Sequence, residues 1–268
     1  MTIPAGRQAE GPSIARVYDY LLGGSHNFAA DQEAAGEFLA RWPDARETMR
    51  SNRAFLGRAV RYLAGQAGIR QFLDIGSGIP TMGNVHEIAQ QTTAGARVAY
   101  VDNEEVAVLH SRAILARNQN ATAIQADLRR PREILRSPQL RDLLDLSRPV
   151  ALLLVAVLHF FPDADRPADI VATLLKALPP GSYLVVSHTT ADYNDPKAAA
   201  DGVQAVQRAG VAFQTRSADE LADLALAGLE LVPPGVVPVS EWRPEEGDGP
   251  TPPPAEVGYY GVVARKPS

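Results

Sequence analysis

Apolar residues follow two different spacings along the chain. Before residue 70 the spacing is helical. Ile14, Val17, Tyr18, Leu21 and Leu22 share one face behind a Pro12-Ser13 start, until Gly23-Gly24 stops the run. A polar-aromatic loop, Ser25-His26-Asn27-Phe28, follows. Asp31 opens a second helix to about Arg41, and Pro43 begins a third with Phe55, Val60 and Leu63 inward. Gly65 and Gly68 end it, and residues 1–12 read as disordered. From residue 71 the pattern changes to short apolar runs alternating with helical ones. The runs predict strands at 71–75, 97–101, 121–125, 150–158 and 183–187. Helices are expected at 85–91, 106–118, 131–146 (interrupted at Pro138), 165–178, 196–209 and 217–227.

Strands alternating with helices predict an α/β fold with a parallel, doubly wound sheet, and the continuous apolar run at 150–158 suits a strand covered on both faces. Two last strands, 229–239 and 258–264, are joined by a Pro-rich loop without a helix, so they are expected to pair antiparallel. The expected sheet is therefore mostly parallel and seven-stranded, with an antiparallel C-terminal strand. Residues 1–68 read as a helical cap lying against a main domain at 69–268. No internal repeat is visible.

The chemistry gathers at Gln71–Thr81, where a strand carrying Asp74 runs into Gly76-Ser77-Gly78. A turn without side chains brings backbone N–H groups, and the start of the next helix, close to a ligand. Asp74, Asp102 and Asp127 fall at the ends of successive strands, along one edge of a parallel sheet near its switch point. Strand-end aspartates also cap helices. Three together, beside two glycines, suit a nucleoside instead: Asp102 can accept from both ribose hydroxyls, Asp127 from an adenine amino group, and Asp74 can hold an ammonium group. A dinucleotide motif would end in a third glycine, where this chain has Thr81 after Pro80. Tyr193 and Lys197 have the Y-x-x-x-K spacing of short-chain dehydrogenases, but Pro196 favours a helix starting there and leaves Tyr193 outside it.

Composition narrows the classes. The absence of cysteine excludes disulfides, thiolate metal sites and a cysteine nucleophile, and points to the cytoplasm. The N-terminal stretch lacks a signal-peptide pattern, and no apolar run reaches the ~18 residues of a membrane helix. A net charge of −5 and 6% aromatic residues argue against a nucleic-acid partner. Positive charge is nearly all arginine, densest at 41–61, where Arg53 is the candidate for facing a ligand. No histidine–carboxylate spacing forms a metal motif.

The segments PSIARVYDYLLGGSHNFAAD, NRAFLGRAVRYLAGQAGIRQFLDIGSGIPT, YVDNE, ADLR and LLLVAVLHFFPD, with GLELVPPG and GVVARKP, together resemble a bacterial S-adenosyl methyltransferase family. That family was first catalogued as a domain of unknown function. DIGSG resembles the first motif of class I S-adenosylmethionine-dependent methyltransferases, which have a Rossmann-like sheet. The resemblance implies S-adenosylmethionine as cofactor. Gly76, Ser77 and Gly78 would pass against its methionine and ribose portions, Asp74 would serve its amino group and Asp102 its ribose hydroxyls. Asn103 would lie beside the adenine, and Asp127 and Leu128 against its edge and face. Ala156 and His159 would line the side facing the methyl, with Tyr18, Asn27 and Phe28 laid over the cofactor. The implied function is methyl transfer to a small-molecule acceptor by in-line displacement, with His159 and His26 as candidate bases. The other reading is a cofactor-binding protein without transferase activity, a sensor or partner subunit. Oligomeric state is not legible.

Overall fold

The computed structural model describes residues 11–79, 83–208, 210–246 and 248–268. The Pro80-Thr81 end of the glycine turn lies outside the described residues, as does most of the 1–12 segment.

Three helices come first: α1 (Ile14–Leu21), α2 (Ala29–Arg41) and α3 (Ala45–Gly65). β1 (Gln71–Ile75), α4 (Val85–Thr92), β2 (Arg97–Asp102), α5 (Glu105–Leu115) and β3 (Ala121–Gln125) follow. Then come α6 (Pro131–Arg136), α7 (Pro138–Leu143), β4 (Ala151–Val155), α8 (Pro167–Lys176), β5 (Tyr183–Thr189), α9 (Pro196–Arg208) and α10 (Ala218–Ala225). The chain closes with β6 (Glu230–Leu231), β7 (Val237–Pro238), α11 (Pro254–Val257) and β8 (Tyr259–Arg265).

The sheet order is β3-β2-β1-β4-β5-β8-β6, with β7 also paired to β8. β1 to β5 are parallel, and β8 runs antiparallel to β5, β6 and β7. The fold is thus the doubly wound, mostly parallel one expected, with a difference of detail near its C-terminal end. The expected strand at 229–239 is two short pieces, because Pro233-Pro234 cannot donate to a ladder and the intervening residues leave it. The interruption expected in the helix at 131–146 falls at Ser137, where Pro138 begins α7 with its fixed φ.

Strand parity divides the core. Leu73, Ile75, Leu152, Leu154, Leu184 and Val186 face α6, α7, α8 and α10. Phe72, Tyr100, Leu153, Val185 and Val263 face α3 and α4. α3 belongs to this second layer: Phe55, Leu56, Ala59, Val60 and Leu63 are at most 3% exposed, and burial of each larger side chain contributes about 1.5–3 kcal/mol. Arg58, on the same helix, is buried too and donates to the Val239 and Trp242 carbonyls at 2.6 and 2.8 Å and to Asp248 at 2.8 Å. Trp242 itself is fully buried, edge-on to Phe55. α1 and α2 instead form a small cluster of their own, Leu21 and Ala35 against Met49 of α3. Among the described residues no helix is long and apolar enough to cross a membrane.

Candidate functional site

The carboxyl ends of β1 to β4 open into a cleft of about 1170 Å³, bounded on its other sides by residues of α1, α2, α3 and α9. β1 and β4 are neighbours where the strand order reverses, the place at which open α/β sheets bind ligands.

The floor is the turn after β1. Gly76 sits at φ +75°, and a Cβ there would collide with Val157, so both the backbone conformation and the packing require glycine. Its N–H donates to the Val101 carbonyl at 2.8 Å. Gly78, at φ +61°, donates its N–H to Asp102 Oδ2 at 2.8 Å. Asp102 Oδ1 takes the Glu104 N–H at 2.9 Å. Burial lifts the Asp102 carboxyl above its usual range, and these N–H bonds oppose that lift. Each oxygen retains a further acceptor site. The next helix does not begin at the turn: α4 starts at Val85, and its first amides are engaged by the chain itself, Asn84 N–H with Glu87 and His86 N–H with the Tyr100 hydroxyl.

Parity points Asp74 to the α3 side, next to Tyr100 in register on β2. Asp74 is 5% exposed, and burial pushes its carboxyl up to about 7, with Arg53 of α3 opposing and Asp102 reinforcing. Arg53 also donates to Asn84 Oδ1 at 3.4 Å. Asn103, Asp127 and Leu128, beyond the tips of β2 and β3, line the same cleft. Asp127 Oδ1 accepts the Arg129 N–H at 2.9 Å, and Leu128 is seated in the core below.

Across the cleft, Ala156 follows β4 at φ +54°, a conformation costly for a residue with a side chain. A string of hydrogen bonds holds it. Ala156 N–H donates to Ser187 Oγ at 2.9 Å, Ser187 Oγ donates to Asn52 Oδ1 at 2.6 Å, and Asn52 Nδ2 donates to the Tyr18 hydroxyl at 3.1 Å. Burial raises the Tyr18 phenol, so it stays protonated, with its hydrogen still to give.

His159 is 2% exposed, lines the cleft, and has no partner for Nδ1 among the described residues. Its ring lies among Phe160, Phe213, Tyr259 and His188. His188 Nδ1 is 2.8 Å from the Thr189 carbonyl, which can only accept, so Nδ1 carries the proton and Nε2 accepts from Arg216 at 2.9 Å. Arg216 also donates to Asp163 Oδ1 at 2.6 Å. Burial pushes His188 down to about 4 and, with His188 and Arg216 adding to it, holds His159 well below the usual histidine range. Both imidazoles are neutral at physiological pH.

His26, Asn27 and Phe28 are not brought to the cleft. Asp19 collects the donors of their loop: its Oδ2 accepts the His26 N–H at 2.8 Å and Asn27 Nδ2 at 2.9 Å. The His26 ring stands edge-on to His110 of α5 at 5.0 Å, and Phe28 is 53% exposed beneath the Arg16 guanidinium. No group of three histidine, aspartate or glutamate side chains among the described residues is arranged for a metal ion.

The sequence pattern of S-adenosyl methyltransferases matches residues 4–267. The chain belongs to the S-adenosyl methyltransferase family. It is therefore a methyltransferase, and its cofactor is S-adenosylmethionine. The glycine turn, whose first position has no room for a Cβ, and the ribose-accepting potential of Asp102 fit that cofactor. Two solved structures resemble this methyltransferase over nearly its whole length. A DUF574-family protein of Streptomyces avermitilis is 42% identical, with a TM-score of 0.91 over 96% of this chain and 98% of that one. A candidate methyltransferase of Thermobifida fusca is 39% identical, with a TM-score of 0.91 over 99% and 98%. The O-methyltransferase NcsB1 of neocarzinostatin biosynthesis, solved with S-adenosylhomocysteine and 1,4-dihydroxy-2-naphthoic acid, shares the fold at 17% identity. Its TM-score is 0.52 over 94% of this chain and 64% of that one. No curated protein matches the methyltransferase in sequence.

Asn52 and Ser187 escaped the sequence reading. The available signal was spacing, since Asn52 falls on the stripe of Met49, Phe55 and Leu56 that the helix buries, and a polar residue there needs a partner.

Proposed function

We propose that this methyltransferase transfers a methyl group to a small-molecule acceptor held in the same cleft as the cofactor. The observation that carries the reading is the size and enclosure of the cleft. At about 1170 Å³ it exceeds the roughly 300–1,000 Å³ that a single drug-sized ligand occupies. Helices of the cap and α9 border it, which suits an enclosed small molecule better than a polymer. NcsB1, with a related fold, was solved in complex with S-adenosylhomocysteine and 1,4-dihydroxy-2-naphthoic acid, a small molecule.

Within this reading Asp102 accepts from the ribose hydroxyls, Asn103, Asp127 and Leu128 border the adenine, and the Gly76–Gly78 backbone lies against the methionine portion. Asp74 and Arg53, opposite charges on facing elements, take the amino and carboxylate groups. α1, α2 and the first turns of α3 act as the cap. When bound, S-adenosylmethionine supplies a methyl group already activated on a sulfonium. The chain's part is to hold an acceptor in line behind the methyl carbon and to exclude water. Such positioning contributes on the order of 7–11 kcal/mol in favourable systems. Tyr18, pinned by Asn52, offers a donor on the reacting side. His159 offers a neutral acceptor there rather than a strong base, because its protonated form is disfavoured by burial beside Arg216. The cysteine-free composition accords with a cytoplasmic enzyme.

Incubating the protein with S-adenosylmethionine and a panel of small phenols, amines, thiols and hydroxy acids tests the reading. Release of S-adenosylhomocysteine that depends on one acceptor class is expected. Release that depends instead on added RNA, DNA or protein would refute it.

A further inference from the structure

The cleft has a second compartment whose chemistry selects its occupant. α9 is a 13-residue helix with no fully buried residue, although Ala199, Gly202, Val203 and Val206 form one continuous small, apolar stripe along it. All four line the cleft, so the stripe faces open volume rather than a packed neighbour. At its edge it meets Trp42, beyond the end of α2, where a Cβ on Gly202 would come within 3.0 Å of the indole. Phe160 and Phe213 line the same cleft, and the His159 ring, with its unpartnered Nδ1, lies against both at 4.2 and 5.3 Å.

Charge is distributed unevenly around the cleft. Asp74, Asp102, Glu104, Asp127 and Arg53 belong to the cofactor end, while Glu37, Arg41, Asp44, Arg129 and Glu256 are exposed. Among the described residues, none of those that wall the aromatic compartment (the α9 stripe, Phe160, Phe213 and His159) carries a fixed charge that could pair with a buried ion, and burying an unpaired charge is strongly unfavourable. Its walls are aromatic rings and small aliphatic groups, which favour a flat ring system. Two buried polar atoms beside the compartment lack a partner among the described residues, His159 Nδ1 and the neighbouring Thr189 Oγ1, and a neutral imidazole accepts a hydrogen bond at the nitrogen that carries no proton.

We infer that the acceptor is an uncharged, flat aromatic molecule bearing a hydroxyl. Its ring lies between the α9 stripe and Phe160–Phe213, and its O–H donates to His159 Nδ1. This inference rests on the proposed methyl transfer to a small molecule, and it names the acceptor class for that reaction.

The test uses 2-naphthol as probe, with naphthalene and 2-naphthoate for comparison, on the full chain saturated with S-adenosylhomocysteine. Binding is measured by equilibrium dialysis. 2-Naphthol is expected to bind saturably, at least tenfold tighter than either comparison compound. His159→Phe is expected to remove the preference for 2-naphthol over naphthalene. Gly202→Leu should push Trp42 into the compartment and weaken 2-naphthol at least tenfold, with S-adenosylhomocysteine affinity within twofold of wild type. Glycine costs a helix interior about 1 kcal/mol relative to alanine, and beyond Trp42 the half-buried Gly202 faces open volume, so this variant is expected to fold. Absence of saturable 2-naphthol binding to the loaded protein, equal binding of 2-naphthoate, or an unaffected Gly202→Leu variant would overturn the inference. Failure of S-adenosylhomocysteine itself to bind would strike the cofactor site instead, and the inference with it.

Discussion

The Gly78 amide donates to Asp102 Oδ2 over 2.8 Å, tying the turn after β1 to the tip of β2. The carboxylate therefore has two tasks, holding the turn in shape and accepting from the ribose. Asp102→Ala removes both. With charge-assisted hydrogen bonds contributing about 1.5–3 kcal/mol each, loss of two ribose bonds predicts at least a 100-fold weaker S-adenosylmethionine affinity by calorimetric titration. An affinity within threefold of wild type would remove Asp102 from the site.

Asp74 predicts a pH dependence. Its folded-state value of about 7 lies above the ordinary 3.8, so the folded chain holds this proton more tightly than the unfolded chain does. The stability it contributes is fully present below about pH 4 and is lost as pH rises through about 7. A bound ammonium favours the ionised carboxylate, so cofactor binding expels the proton below that value. Affinity should rise with pH up to about 7 and then level off, and Asp74→Asn should flatten the rise. Titration in buffers of different ionisation enthalpy measures the released proton directly.

Gly76→Ala meets two penalties. A positive φ costs a residue with a Cβ about 1–2 kcal/mol, and the collision with Val157 adds about 1–3 kcal/mol. Denaturant melts should show a loss of roughly 2–5 kcal/mol. Adding Val157→Ala should return only the part due to the collision, once the cost of Val157→Ala alone is subtracted in the double-mutant cycle.

Asn52 joins Ser187 to Tyr18, and Asn52→Ala leaves the Ser187 hydroxyl without its acceptor. An orphaned buried group costs about 1–3 kcal/mol, which a thermal melt detects. The same variant should lower kcat more than it raises KM for the cofactor, since it frees the Tyr18 hydroxyl on the reacting side.

The sheet could be read from the chain because β1, β2, β4 and the first part of β5 are short, mostly apolar runs alternating with stretches of helical spacing. Asp74, Asp102 and Asp127 fell into one cleft for the same reason: parallel strands put their carboxyl ends on one edge. Other features depended on distant partners. His26, Asn27 and Phe28 sit in a loop that the family resemblance drew toward the cofactor, yet the loop is gathered by Asp19, whose position in α1 gave no hint of that role. The split of 229–239 turns on Pro233-Pro234, which the surrounding apolar residues masked. The stripe on α9 carries the spacing of a buried helix face, but whether such a face meets a protein wall or an open chamber is a tertiary matter.

The two tryptophans sit in contrasting places, Trp242 sealed in the interior against Phe55 and Trp42 half-exposed beside Gly202. Emission from the unlabelled enzyme thus has two separable sources. One reddens only when the whole molecule comes apart, while the other responds when α9 shifts or something enters beneath it. With Trp42→Phe as the blank, the polypeptide supplies its own optical gauge of traffic through the mouth.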